Sequence, residues 1–275
     1  MTDADWRAAN LANWDERVAV HLKAPGYDLG PLRTGRGRLN AIEEAELGPV
    51  DGLRVLHLQC HFGRDTLTLA RRGAEVVGLD FSLPAVEAAR ALADELGLAD
   101  RARFVQADLY DAAAALPEPA AFDLVYVTWG ALNWLPDIRG WARIVAHFLK
   151  PGGELYLLEG HPAMLVFDDA SPGVDGRPGW FAPYFQRDAV VIDSTADYAD
   201  PQATLRNTRT YEWMHPLGEV VTALLDAGLA LRSLREHDAL SWQAFKCLVE
   251  GGDGLFRWPD KPWLPLAYSI RAART

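Results

Sequence analysis

The sequence predicts a doubly wound α/β fold, a mostly parallel sheet with helices on both faces. Two observations carry that expectation. Short, near-continuous apolar runs recur at 54–59 (RVLHLQ), 75–80 (EVVGLD), 123–128 (DLVYVT) and 153–159 (GELYLLE), the pattern of strands buried on both sides. Segments of helical length and period separate them, and right-handed crossovers then wind the chain to both faces.

Along the chain, Trp6, Leu11, Trp14, Val18 and Leu22 recur every three to five residues, which predicts a helix with one apolar face over about 5–23. Pro25, Gly26 and Gly30 end it, and a second short helix is expected at about 38–47. Arg64–Arg72 reads as a helix stopped by Gly73, and Ser82 as the N-cap of an Ala-rich helix that runs to about Leu96 and ends at Gly97. A short strand follows at 103–106, and Asp137 opens a helix to about Leu149. After Glu159 the rhythm breaks. Residues 160–213 are rich in Pro, Gly, Asp and aromatics, with candidate hairpin strands at about 189–195 and 204–213. A helix is expected from Pro216 to Ala227, with Gly228 as its C-cap and a strand at 229–236. The stretch 238–266 sets Trp242, Trp258 and Trp263 among prolines, and a last strand covers 267–273. The expected organisation is an N-terminal helical lid at 1–47, a core at 48–160 and 216–275, and an inserted cap at 161–215.

The chain has 275 residues, 49% of them hydrophobic, and a formal net charge of −11. An acidic surface repels phosphate backbones, so nucleic acid is not an expected partner. Arg33, Arg36 and Arg38 read as a solvated loop. Two distant cysteines make no disulfide framework, and MTDADWRAAN lacks the basic and apolar regions of a signal peptide; both fit a reducing cytoplasm. The longest mainly apolar stretch, about 123–135, is short of the ~20 residues a bilayer requires, so no membrane association is expected.

In a doubly wound sheet, ligands bind beyond the carboxyl ends of the strands. The loop after the first strand is Gln59-Cys60-His61-Phe62-Gly63-Arg64-Asp65-Thr66, and Asp80, seventeen positions past Gly63, closes the second strand. A carboxylate there can accept both hydroxyl protons of a ribose. Asp108, after the third strand, is placed either to accept from an adenine amine or to form a turn. A pyrophosphate requires the close backbone approach of G-x-G-x-x-G, and Gln59 and His61 stand where its first glycines would be. S-adenosylmethionine (SAM) carries no phosphate, and one glycine suffices for it.

The run from 50 to 160 resembles the class I SAM-dependent methyltransferase family. VLHLQCHFG takes the place of its glycine-rich first motif, VVGLDFS the second, FVQADLY the third, FDLVYVTWGALNWLPD the strand-four motif and LKPGGELYLLE the fifth. The resemblance implies a Rossmann-like seven-stranded sheet of order 3-2-1-4-5-7-6 with strand seven antiparallel. It implies SAM as cofactor, held by Gln59, Cys60, Gly63 and Thr66 of the first motif. Asp80, Phe81 and Ser82 of the second and Asp108 and Leu109 of the third would take the adenosine. Thr128 and Trp129 would lie beside the methionine part, and Tyr27 of the lid would reach its carboxylate. His57 departs from the family, which has an acid there. The expected reaction is methyl transfer to a small-molecule acceptor, on O or N. His161 is the candidate base, with Glu159 and His215 also at the sheet edge, and no metal is expected. A SAM or nucleoside sensor without turnover, or a nicotinamide oxidoreductase, are the alternatives.

Overall fold

The computed structural model describes residues 3–275, apart from the side chains at 3, 4, 171, 172 and 174; Met1 and Thr2 of the expected lid lie outside it. Seven strands form the main sheet: β1 (Arg54–Leu58), β2 (Glu75–Asp80), β3 (Ala102–Gln106), β4 (Phe122–Thr128), β5 (Leu149–Gly160), β6 (Leu229–His237) and β7 (Ala267–Arg274). Their order is β3-β2-β1-β4-β5-β7-β6, with β7 antiparallel to both neighbours and the first five parallel, as expected.

The helices longer than four residues are α1 (Asp3–His21), α2 (Ala41–Glu46), α3 (Arg64–Arg71), α4 (Leu83–Glu95), α5 (Ile138–Phe148) and α6 (Leu217–Asp226). Strand periodicity divides the core between the two faces of the sheet. Leu56, Leu58, Val125, Val127, Leu155 and Leu157 pack with Trp141, Val145 and Phe148 of α5 and with Val220 and Leu224 of α6. Val55, Val76, Phe104, Leu124, Tyr126 and Tyr156 turn the other way, onto Leu67 and Leu69 of α3 and onto Val86, Ala89 and Leu92 of α4.

The helix starts follow their capping residues. Ser82 Oγ accepts from Ala85 N at the head of α4, and Asp137 accepts from Gly140 N at the head of α5. Asn40 and Glu43 close a capping box on α2. Pro216 is the N-cap of α6 itself, one position outside the expected first turn.

The segment after β5 holds the expected hairpin, observed as Val190–Asp193 with Arg209–Glu212. It also holds a second antiparallel pair that the sequence pattern does not predict, Phe167–Pro172 with Pro178–Trp180. The Trp- and Pro-rich stretch before β7 forms three two-residue strands, Ala239–Leu240, Val249–Glu250 and Phe256–Arg257. Strands this short carry almost no period-2 signal. No described helix is long and apolar enough to cross a membrane.

Gly63 shows how tightly the first βα turn is packed. Its φ is +77°, and a Cβ placed there would stand 2.6 Å from the Phe104 ring. Gly63→Ala therefore combines left-handed strain with overpacking and should lower stability by ~2–4 kcal/mol. Urea titration of the two proteins checks this, and equal midpoints would contradict it.

Candidate functional site

The carboxyl ends of β1, β2 and β4 meet at one edge, and the backbone there is unusual. Gln59, His61 and Trp129 all have positive φ, at 57°, 51° and 53°, and Gly63 and Gly130 lie beside them. A non-glycine residue held in this region costs of order 1–3 kcal/mol, so the loop keeps the shape of a glycine-rich turn at positions that hold side chains.

Two buried carboxylates hold these loops. Asp80 accepts from His61 N at 2.8 Å and from Ser82 N at 2.9 Å. Burial, with Asp15 nearby adding to it, raises its pKa to about 6, against the pull of those main-chain donors. Glu159, at the end of β5, accepts from Gly130 N (2.7 Å), Ala131 N (2.6 Å), Leu132 N (2.9 Å) and Gly160 N (3.2 Å). Its burial still raises its pKa. Gln59 ties the two loops together by donating Nε2 to the Ala131 carbonyl at 2.8 Å.

Helix α1 lies across the tips of β1 to β3. Arg7 Nε stands 3.5 Å from Asp108, Ser82 Oγ donates to Asp15 at 2.6 Å, and His21 Nδ1 meets His61 Nε2 at 3.0 Å. His21 Nε2 reaches Asp197 of the inserted segment at 3.1 Å, and Arg17 joins the same carboxylate at 3.0 Å. Burial pushes His61 well below the ordinary histidine range, so its ring is neutral. Tyr27 stacks on His21 (4.7 Å between centroids) and shares a hydrogen bond with the Tyr198 hydroxyl.

The structure thus brings Tyr27, Gln59, Asp80, Ser82 and Trp129 to one region and gives several other expected residues different contacts. Thr66 turns into the core, where its hydroxyl meets His57 Nδ1 at 2.8 Å. Cys60 is buried as a filler, and burial pushes its thiol up. Phe81 offers its carbonyl to Gln106 Nε2 at 2.9 Å. Leu109 and Thr128 are buried. Asp108 caps the turn at Tyr110 N (2.8 Å) and faces Arg7, so the turn-forming reading describes its contacts and an adenine amine would compete with Arg7.

His161 is turned away as well. Its Nδ1 accepts from Ala163 N at 3.1 Å, and its Nε2 lies 3.0 Å from Glu236 of β6. Its lone pair is already committed, and in this geometry the ring ties the end of β5 to β6 rather than facing the sheet edge.

A cavity of about 90 Å³ opens at the ends of β4, β5 and β7, on the far side of the loop that Glu159 holds; Asn133, Trp213, His215, Trp242 and Tyr268 are among the residues that line it. His215 Nε2 donates to the Leu135 carbonyl at 2.7 Å, which leaves Nδ1 as the ring's acceptor. Burial lowers its pKa, against the pull of that carbonyl. The sequence places His215 just before a helix, and its position on the cavity wall depends on tertiary contacts that no local pattern shows. A larger recess, about 340 Å³, lies at the opposite end of the sheet beside Asp123, Lys150 and Arg271. Its charges are paired, Lys150 with Asp123 and Arg271 with Glu154, and it is remote from the strand ends where doubly wound sheets bind ligands.

A family model described as a methyltransferase domain matches residues 55–153, which run from β1 into β5 and include both loops. Residues 55–153 thus carry the pattern of a methyltransferase domain. Among relatives, a ubiquinone biosynthesis O-methyltransferase of Leptothrix cholodnii is 31% identical over 133 residues, 48% of this chain and 52% of that protein. A tRNA 5-carboxymethoxyuridine methyltransferase of Escherichia coli is 31% identical over 114 residues, 42% of each. The chain spans about half the length of the curated relatives it matches. The methyltransferase fold extends further than these matches. The crystal structure of an S-adenosylmethionine-dependent methyltransferase from Mesorhizobium loti covers 85% of this chain and 96% of its own at a TM-score of 0.57, with 24% identity.

Just past the matched residues, Glu159→Gln exchanges an acceptor for an NH₂ group that faces main-chain donors. It should cost ~1–3 kcal/mol, the scale of a buried donor left unpaired. Thermal melting measures it, and an unchanged transition would remove the carboxylate from its role in holding the loop.

Proposed function

We propose that this protein transfers a methyl group from SAM to a small, partly aromatic acceptor. The observation that carries the proposal is the arrangement around the Glu159-held loop: an acid and a carboxamide (Asp80 and Gln59) on the β1–β2 side, and the aromatic cavity on the β5–β7 side. Bound SAM would supply an electrophilic methyl. The chain contributes alignment and a dry site, which is most of what an in-line methyl displacement requires.

Asp80 would accept from the ribose hydroxyls, since each of its oxygens spends one lone pair on a main-chain N–H and keeps another. Tyr27 and Tyr198 face the loop as hydroxyl donors for the tail carboxylate. The α1 segment covers this edge and must lift to admit the cofactor, which is the action of a lid. The segment after β5 closes the acceptor side as a cap.

Where the acceptor atom carries a proton, the His215 ring would take it, and bound SAM would supply the methyl for a single in-line displacement in which the bonding pair stays on sulfur. His215 replaces His161 in this reading because it lines the cavity, while His161 faces Glu236. A net charge of −11 and a narrow aromatic cavity favour a small molecule over a nucleic acid.

Calorimetry should show binding of S-adenosylhomocysteine and none of NAD. Labelled SAM offered with a panel of phenols, quinols and amines, and separately with total tRNA, should label a panel member and leave the tRNA unlabelled. Labelled tRNA would overturn the small-molecule reading, and binding without transfer to anything would leave a sensor.

Affinity for S-adenosylhomocysteine should also fall below about pH 6. Asp80 titrates there, and its ionised form is the one that accepts from ribose, so each further pH unit costs up to about tenfold. An affinity flat from pH 7 to 5 would take Asp80 out of the site. His215→Gln keeps a donor toward Leu135 but loses the basic nitrogen. It should lower turnover of a hydroxyl acceptor by roughly 10²–10⁴ and leave S-adenosylhomocysteine affinity unchanged; wild-type turnover would end its candidacy.

A further inference from the structure

Gln59 holds a position where a side chain is conformationally unfavourable, and that side chain is only half satisfied. Its φ of +57° is one that glycine adopts freely. The Nε2 group donates to the Ala131 carbonyl, which fixes the orientation of the amide, because the oxygen cannot face another carbonyl. Oε1 is then buried without a hydrogen-bond partner. Among the described residues it is the one buried side-chain oxygen in that state; the other buried polar atoms without a hydrogen bond are nitrogens of Trp6, Arg7, Trp141 and His161, and those of Arg7 and His161 lie within ion-pair distance of Asp108 and Glu236. An unsatisfied buried oxygen calls for a donor, and a cationic donor satisfies it best.

The neighbouring position explains which donor is lacking a host. His57, one turn of the strand earlier, is spent on Thr66 through Nδ1, and its ring packs edge-on against Tyr126 at 4.7 Å. Burial holds its pKa down to about 4, so it adds no charge, and it offers no acceptor at the strand tip. The residues fit the amino-acid tail of SAM, whose ammonium needs an acceptor beside the first loop.

Building on the proposed function, we propose that Gln59 Oε1 accepts the α-ammonium of the cofactor's amino-acid tail and so selects ligands that retain an amino group. Gln59 also couples that contact to the acceptor side, because its Nε2 holds the Ala131 carbonyl of the loop that Glu159 clamps.

The test is a cycle between protein and ligand, read by calorimetry at pH 7.5. The ligands are S-adenosylhomocysteine, its analogue lacking the α-amino group, and 5′-methylthioadenosine, which lacks the whole tail. The proteins are wild type, Gln59→Leu and Gln59→Gly. Wild type should prefer S-adenosylhomocysteine over the deaminated analogue by tenfold or more. Both variants should bind S-adenosylhomocysteine at least tenfold more weakly, and the deaminated analogue and methylthioadenosine within about twofold of wild type. Gln59→Gly should melt no lower than wild type, since it releases the left-handed strain, and this separates a lost contact from a damaged fold. Equal losses for all three ligands, or no loss for S-adenosylhomocysteine, would overturn the proposal. Failure of wild type to bind any of the three would instead bring down the cofactor reading itself, and this proposal with it.

Discussion

The edge of this sheet depends on a carboxylate that four main-chain N–H groups surround. Glu159 sits at the end of β5, is 4% exposed, and holds the start of the loop after β4 as well as the residue that follows it. Burial of a charge is costly unless its lone pairs are filled, and here they are filled by a loop whose regular structure is a single 3-10 turn, Leu132–Trp134. The same device recurs at β2, where Asp80 holds the first loop through His61 N. Both loops that frame the candidate site are therefore fixed from beneath by acids on the rigid strands, and the covering segments add their own bonds, His21 to His61 and the hairpin to Asn133.

That fixing accounts for a departure in the first motif. Gln59 and His61 occupy positions where glycine would carry no strain, and yet the turn keeps its left-handed geometry. The bond from His61 N to Asp80, the bond from Gln59 to Ala131 and the packing of Gly63 against Phe104 over-determine the loop, the condition under which strained residues persist. The replaced glycines give the site side chains it would otherwise lack. His61 reaches the N-terminal helix, and Gln59 brings an amide to the strand tip.

The order of the sheet and the helices around it were legible in the residues because buried parallel strands and amphipathic helices differ in period over whole elements. Asp80, Gly63 and Gln59 were legible for a local reason: their places follow from distance along the chain to a strand end. Side-chain direction was not. Thr66 and Asp108 stand at expected positions but spend their polar atoms on His57 and on Tyr110 N, choices set by neighbours a few residues away. The contrast between His161 and His215 is of the same kind. Both flank the inserted segment, and only the tertiary arrangement turns one toward β6 and the other onto the cavity wall. The Asp197–His21–His61 chain was hidden altogether. Its members are 176 and 40 positions apart, and no local pattern connects them.

The same long-range contacts bear on how the site opens. Helix α1 is bonded chiefly to the inserted segment. Asn10, 1% exposed, exchanges two hydrogen bonds with the backbone of Tyr211, and Asn13, fully buried, donates to the Asn207 carbonyl. Glu16 accepts from Arg206 N and Asn207 N. Its ties to the sheet edge are fewer, and one of them, Arg7 to Asp108, is a partly exposed ion pair at 3.5 Å of the kind that contributes ~0–1 kcal/mol. Breaking the first set would strand buried amides, whereas breaking the second exposes groups that water can solvate. The path of lower cost moves α1 and the hairpin together, away from strand tips that Asp80 and Glu159 keep in place. On the proposed reading of α1 as lid and the hairpin as cap, the two would then move as one body, and that motion would also have to release Asn133, which the hairpin holds through Glu212 and Trp213 N.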